Sequence, residues 1–193
     1  MGSLKTDFHE LCEQIKRGME FSHAGFEPIY YLVFPPVEML NVKRQTAAWI
    51  AKLQNDYGWK VDVFSVADAI ESVLREDSRW KLWLLADEKN PVAWRQTNES
   101  LANALTATGS KFTTMLENRL TALEGTRKAL LLITDLEALH PYLRIGSIEA
   151  NLQSKFHVPT VFLYPGERAG KTSLKFLGFY PEDGNYRSVH IGG

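Results

Sequence analysis

The sequence predicts an α/β fold: a Rossmann-like or ATPase-core-like sheet of mostly parallel strands flanked by helices, lacking a P-loop. Three observations carry this. Residues 28–34 (PIYYLVF) and 129–134 (ALLLIT) are near-continuous apolar, β-rich runs, as in strands buried on both faces. Strand and helix patterns alternate around them, the signature of parallel sheet with right-handed crossovers. Residues 128–166 then repeat the unit as a buried strand ending in Asp135, a turn, a helix, and a second buried strand ending in Pro165-Gly166.

Each element has its own signal. In residues 7–19, Phe8, Leu11, Cys12, Ile15 and Met19 form one stripe at helical spacing. Thr6 or Asp7 is the expected cap, with Glu10 three residues after Asp7. Gly25 marks a break, and Pro35-Pro36 ends the first strand. A helix over residues 39–57 carries Leu40, Ala47, Trp49, Ile50 and Leu53 and stops at Gly58. Residues 61–65 form a second strand, and residues 66–75 a helix with Ala67, Ile70, Val73 and Leu74 on one side. Trp80, Trp83, Leu84 and Leu85 look helical, and residues 88–91 look like a turn because proline disfavours helix in the residue before it. Residues 99–123 predict one long helix, with Gly109 as its place for an interruption and Gly125 as its stop. Residues 129–134 are a strand, 145–156 a helix, 160–164 a strand, and 174–180 a fifth strand at the sheet edge or in a hairpin. The tail, residues 186–193, shows no clear pattern.

The 193 residues suit one domain, since domains run about 50–250 residues. That domain is expected over residues 1–193: an N-terminal helix in 1–25, a sheet core in 28–75 and 128–180, and a helical segment in 76–125. Whether that segment packs on the core or stands out as an arm is open. The formal net charge of −1 and a pI of about 6.5 argue against a dedicated nucleic-acid binder, whose domain pI usually exceeds about 9. The lone Cys12 excludes an intrachain disulfide, fits a reducing compartment, and is expected in the core. No signal-peptide pattern is visible, and no apolar run approaches the roughly 20 residues a membrane span needs, so a cytoplasmic, membrane-free protein is expected.

The motifs point away from known catalytic machinery. Residues 166–173 (GERAGKTS) resemble a phosphate loop, but only three residues separate Gly166 from Gly170. The following SLKFLGFY alternates like a strand, so a strand-to-strand loop is expected rather than a phosphate-binding helix N-terminus. Asp135 stands where a magnesium-orienting acid would, yet Glu137 is out of register for the usual acidic pair. Capping of the following turn is the expected role of Asp135. The histidines His9, His23, His140, His157 and His190 form no zinc pattern, and no serine sits in a G-x-S-x-G elbow. His140, with Pro141 just past a strand end, is expected to be a hydrogen-bonded structural residue. No cofactor and no metal are expected.

Position still favours function at one place. Ligands of parallel α/β sheets bind beyond the carboxyl ends of the strands. Those ends carry Pro35-Pro36, Ser65, residues 135–144 and residues 164–166. Trp80, Trp83 and Trp94 lie in a segment flanking the core and are candidates for a binding surface, because tryptophan is enriched at interface hot spots.

Taken together, YYLVFPP, VKRQTAAWIAKLQ, LLLITDLEALHPYLR, VPTVFLYPG, LKFLGFY and YRSVHI resemble the BrxB family of BREX bacteriophage-defence systems. The resemblance spans roughly residues 28–191. It implies a cytoplasmic role in phage defence with no assigned catalytic activity, and a PglZ phosphatase-superfamily component as direct partner. Other BREX proteins are further candidates. It carries no catalytic residues over. The motif positions to watch are Pro35, Pro36, Asp135, Glu137, His140, Pro141, Arg144, Arg187 and His190. Three functions therefore compete. The first is a non-catalytic adaptor docking a BREX partner. The second is a divergent nucleotide-binding or metal-dependent enzyme using Asp135, Glu137 and His140 at the strand edge. The third is a weak DNA binder using Lys16-Arg17, Lys43-Arg44 and Arg168 with Lys171, for which direct DNA binding is the least expected.

Overall fold

The computed structural model describes residues 3–20, 27–106, 110–170, 173–183 and 188–193. Helix α1 (Leu4–Glu20) buries Phe8, Leu11, Cys12 and Ile15 as the stripe predicts. It starts before Asp7, because the Ser3 hydroxyl accepts the Thr6 N–H at 3.2 Å; Ser3, not Thr6 or Asp7, is the cap. Strand β1 (Ile29–Phe34) is buried at every position. A 3-10 turn at Pro36–Glu38 leads into α2 (Met39–Asn55), and β2 (Lys60–Ser65) leads into α3 (Val66–Glu76).

The middle of the chain departs from the long-helix expectation. It contains α4 (Trp80–Lys89), α5 (Trp94–Thr106) and α6 (Lys111–Leu123). Residues 107–109 lie outside the described residues, so the expected interruption at Gly109 does too. The Ser110 hydroxyl accepts the Thr113 N–H at 3.3 Å, a local cap that starts a new helix. The segment packs on the core: Trp83, Leu105, Phe112, Leu116, Leu120 and Leu123 share one apolar cluster with the sheet.

Strand β3 (Ala129–Thr134) is followed by a 3-10 turn at Leu136–Leu139 and by α7 (Ile145–Asn151). The predicted helix to Phe156 is cut short. Ser154 adopts a left-handed φ of 65°, which a continuing right-handed helix does not accommodate, and Phe156 turns into the core. Strand β4 (Thr160–Ala169) runs on through Pro165-Gly166, where a strand end was expected. It pairs antiparallel with β5 (Ser173–Phe176), from Gly166↔Phe176 to Ala169↔Ser173. A Cβ at Gly166 would stand 2.4 Å from the Lys175 carbonyl oxygen, so the close strand approach requires glycine there. Within GERAGKTS, residues 166–169 are thus the end of one strand and Ser173 the start of the next, while Lys171 and Thr172 lie outside the described residues. The tail contributes β6 (Val189–Gly192), which the sequence did not signal because Ile191 is its one buried residue.

Among the described residues the sheet order is β2-β3-β4-β1-β6, all parallel, with β5 attached to the extended end of β4. Alternating side chains of each strand serve two cores. Tyr31, Val33, Leu131, Ile133 and Phe162 face α3, α5, α6 and α7, whereas Tyr30, Leu32, Leu130, Leu132 and Leu163 face α1 and α2. The chain therefore crosses from β1 to β2 on one face and returns through β3 to β4 on the other. That arrangement follows from right-handed crossovers made in opposite directions. It opens a space between α2 and the turn after β3, beyond the carboxyl ends of the strands. Among the described residues, no helix is long and apolar enough to cross a membrane.

Candidate functional site

The strand ends gather a charged cluster. The parallel register sets Ser65 beside Thr134, so the two hydroxyls flank the start of the turn after β3. Asp135 begins that turn with φ 59°, ψ 36°, a left-handed conformation that aspartate tolerates better than most residues. Its side chain does not cap the turn, contrary to expectation. Instead its Oδ2 accepts the Thr134 hydroxyl at 2.8 Å and the Ser65 hydroxyl at 3.0 Å. Its Oδ1 faces Lys43 Nζ, reached from α2 at 2.8 Å, and the same ammonium meets Glu137 Oε1 at 2.6 Å. The backbone turn explains the spacing: two carboxylates with one residue between them converge on one cation.

These charges are held firmly. Hydrogen bonds that Lys43 donates to Asp135 and Glu137 push its ammonium up to about 12. Burial alone would raise Asp135, but Lys43, Thr134 and Ser65 together hold its carboxyl below the usual range. At neutral pH neither group gives or takes a proton. Lys43 and Asp135 are therefore not tuned toward neutral pH as a general acid and base are. It is suited to recognition of charge. Among the described residues, no group of three or more His, Cys, Asp or Glu is placed to hold a metal ion.

The cluster lines a cavity of about 240 Å³ with a largely apolar floor of Phe34, Met39, Val42, Val63 and Leu163. Pro35 and Pro36, both half-buried, carry the chain from β1 toward α2. Pro35 lines a second hollow, of about 480 Å³, with Glu38, Asn41 and Gln45.

A second group forms where the turn after β3 meets the end of the β5 segment. His140 Nδ1 and the Tyr180 hydroxyl share a hydrogen bond, and the Arg144 guanidinium lies 4.2 Å from the Tyr180 ring centroid. Phe179 stacks on Tyr180 at 4.8 Å and meets the His140 ring edge at 5.4 Å. His140 is thus engaged by Tyr180. His190 lies elsewhere, on β6. Its Nε2 is 3.0 Å from the Ser188 hydroxyl, its ring meets Tyr31 edge-on at 5.5 Å, and burial and then Arg168 lower it to about 4. Arg187 lies outside the described residues, as does Lys171.

The three tryptophans separate sharply. Trp83 is 7% exposed, its indole donates to Ser100 Oγ at 3.0 Å, and Arg79 sits 5.0 Å over its ring. It is a core residue rather than a surface one. Trp80 is half-buried beside Arg75, and Trp94 is 57% exposed.

So the structure joins Asp135 with Glu137, and His140 with Arg144, and leaves His190 and the tryptophans apart. Sequence reasoning missed Lys43 as the partner of both carboxylates. It also missed Tyr180 beneath Arg144. The helical pattern placed Lys43 on an exposed face, and nothing local reveals that this face leans over the end of β3.

A family model described as BREX protein BrxB matches residues 63–191. No curated protein and no solved structure matches the chain.

Proposed function

This chain belongs to the BrxB family, which makes it a component of a BREX phage-defence system, and we propose that within that system it is a non-catalytic adaptor for another BREX protein, of the PglZ phosphatase-superfamily type. The observation that carries the reading is the α4–α5 hairpin. Its inner side holds Trp83 and Leu105 in the core, yet Leu82, Leu85, Val92 and Trp94 point outward, with Val92 82% exposed. A single exposed leucine needs no explanation, whereas several large apolar side chains on one hairpin mark an interaction surface. The strand-edge charges support the same reading, because Lys43 and Asp135 are fixed in their ionised forms rather than poised for proton transfer.

Size-exclusion chromatography with light scattering, on this protein mixed with the PglZ-type component of its own system, tests the proposal. Co-elution as a complex of defined mass is the expected result. Two separate peaks at micromolar concentration would overturn direct docking. A standard-size interface buries about 1,600 Å² in total.

A further inference from the structure

We infer that the docking of Asp183 against α7 is a pH-sensitive latch, closed in acid and loosened in alkali, because two carboxyl groups from different elements share one recess in the core. The inference stands apart from the adaptor reading and concerns the segment that leads from β5 to β6. The backbone places Asp183: its N–H donates to the Leu174 carbonyl and its carbonyl accepts the Leu174 N–H, both at 2.9 Å. That bridge is isolated, so two hydrogen bonds rather than a ladder tie Asp183 to β5. Its side chain turns to the first turn of α7, where a Cβ at Gly146 would stand 2.7 Å from Asp183 Oδ2. Glu149 follows Gly146 by three residues and so shares its face of the helix. The two acids therefore meet over one patch of α7.

The surroundings decide what that meeting costs. Across from α7 stand Tyr31 on β1 and Tyr164 on β4, both fully buried, with their rings edge to face at 5.5 Å. Tyr31 hydrogen-bonds Glu149. Among the described residues the Tyr164 hydroxyl makes no hydrogen bond, so it neutralises neither acid. Glu27, from the chain before β1, adds a further negative charge, with its Oε1 accepting the Ser154 N–H at 2.6 Å. His190, on β6, meets the Tyr31 ring edge-on. Arg144, the cation just before α7, has its guanidinium over the Tyr180 ring. Burial, then Asp183 and Glu27, accordingly push the Glu149 carboxyl up to about 7, against the hydrogen bond with Tyr31. With Asp183 docked, the proton on Glu149 keeps two like charges from facing each other. With Asp183 undocked, that proton leaves more readily. Docking is therefore favoured at low pH, and the advantage is lost as pH rises from about 4.5 to about 7.

Amide hydrogen exchange on the full chain reads the latch directly, because the Leu174 and Asp183 N–H groups are the donors of its two hydrogen bonds. Protection factors, corrected for the intrinsic pH dependence of exchange, are expected to fall about threefold or more at both amides between pH 6 and pH 8, without a matching fall at Leu32 in β1. That range lies above most of the His190 titration. Glu149→Gln keeps the shape and removes the titration, and is expected to flatten the profile. Asp183→Asn removes the repelling charge and keeps the backbone bridge, and is expected to shrink the fall. Either variant suffices, so the test survives the failure of one to fold. A flat wild-type profile, a parallel fall at Leu32, or a fall that either variant leaves unaltered would overturn the latch.

Discussion

At the strand edge, Lys43 from α2 and Asp135 and Glu137 from the turn after β3 meet although they lie far apart in the chain, whereas Leu82, Leu85, Val92 and Trp94 belong to a single helical hairpin. The first surface is charged, recessed and made by tertiary contact. The second carries exposed apolar side chains and is local. The contrast teaches that a short helical hairpin can display apolar side chains through local sequence alone, whereas a charge cluster of this kind forms only where crossovers bring distant segments together.

The sharpest way to break the comparison lies inside the hairpin itself. Trp83→Ala is expected to destabilise the fold by about 3–5 kcal/mol, since it empties a core site and strands the Ser100 hydroxyl. Trp94→Ala is expected to change stability by less than about 0.5 kcal/mol. Chemical denaturation measures both, and equal effects would mean that the two tryptophans are not on opposite sides of the helix pair. In the partner complex the order reverses. Trp94→Ala is expected to weaken binding by at least about 2 kcal/mol by calorimetry, if the hairpin is the central contact.

A titration sharpens the comparison between charged groups held apart from water and those paired with an opposite charge. Glu149, on α7, is pushed up to about 7 by burial and by Asp183 and Glu27, against a hydrogen bond with Tyr31. Between roughly pH 4.5 and 7 the folded protein therefore holds a proton that the unfolded chain has released, so this group's contribution to stability falls as pH rises through that window. His190 works with the opposite sign. It is lowered to about 4, the unfolded chain binds the proton first, and stability rises with pH from about 4 to 6.5. Glu149→Gln is expected to stabilise the protein at pH 8 by about 1–3 kcal/mol relative to wild type, and to leave a net rise in stability from pH 4 to 6.5. Denaturation midpoints measured across pH 4 to 8 decide it; an unchanged profile would place Glu149 in contact with water.

A small effect is also expected at the strand edge. Lys43→Met should alter stability by no more than about 1 kcal/mol, because the ammonium is half-exposed and its loss is offset by apolar contact with the stem position. A larger loss would make the cluster a structural tie between α2 and the turn after β3.

The legibility of the fold followed the strength of local signals. β1 and β3 are buried at every position, and their unbroken apolar runs could hardly serve any other element. α1 and α3 declared themselves by a single apolar stripe. Where the signal depended on distant contact, it failed. Nothing in the tail announces β6, which exists because β1 offers an open edge to Val189–Gly192. β4 continues past Pro165 because β5 folds back on it and Gly166 allows the approach. The candidate site divides the same way. Asp135 and Glu137 were visible at a strand end, but their cation was not, since Lys43 looks like any solvated residue on a helix. Trp83 and Trp94 are alike in sequence, and only the packing of α5 against α4 gives one to the core and the other to solvent.

By itself, the sequence determined the α/β class, the order of the main strands and helices, the family and the strand edge as the place of interest. Those follow from periodicity, turn residues and ordered motifs, which are properties of short stretches of chain. The tertiary structure alone decided the strand order, the outward face of the α4–α5 hairpin and the closure of Lys43 on two carboxylates. Each depends on which surfaces the crossovers bring together, and burial and charge pairing are properties of that meeting rather than of any one segment.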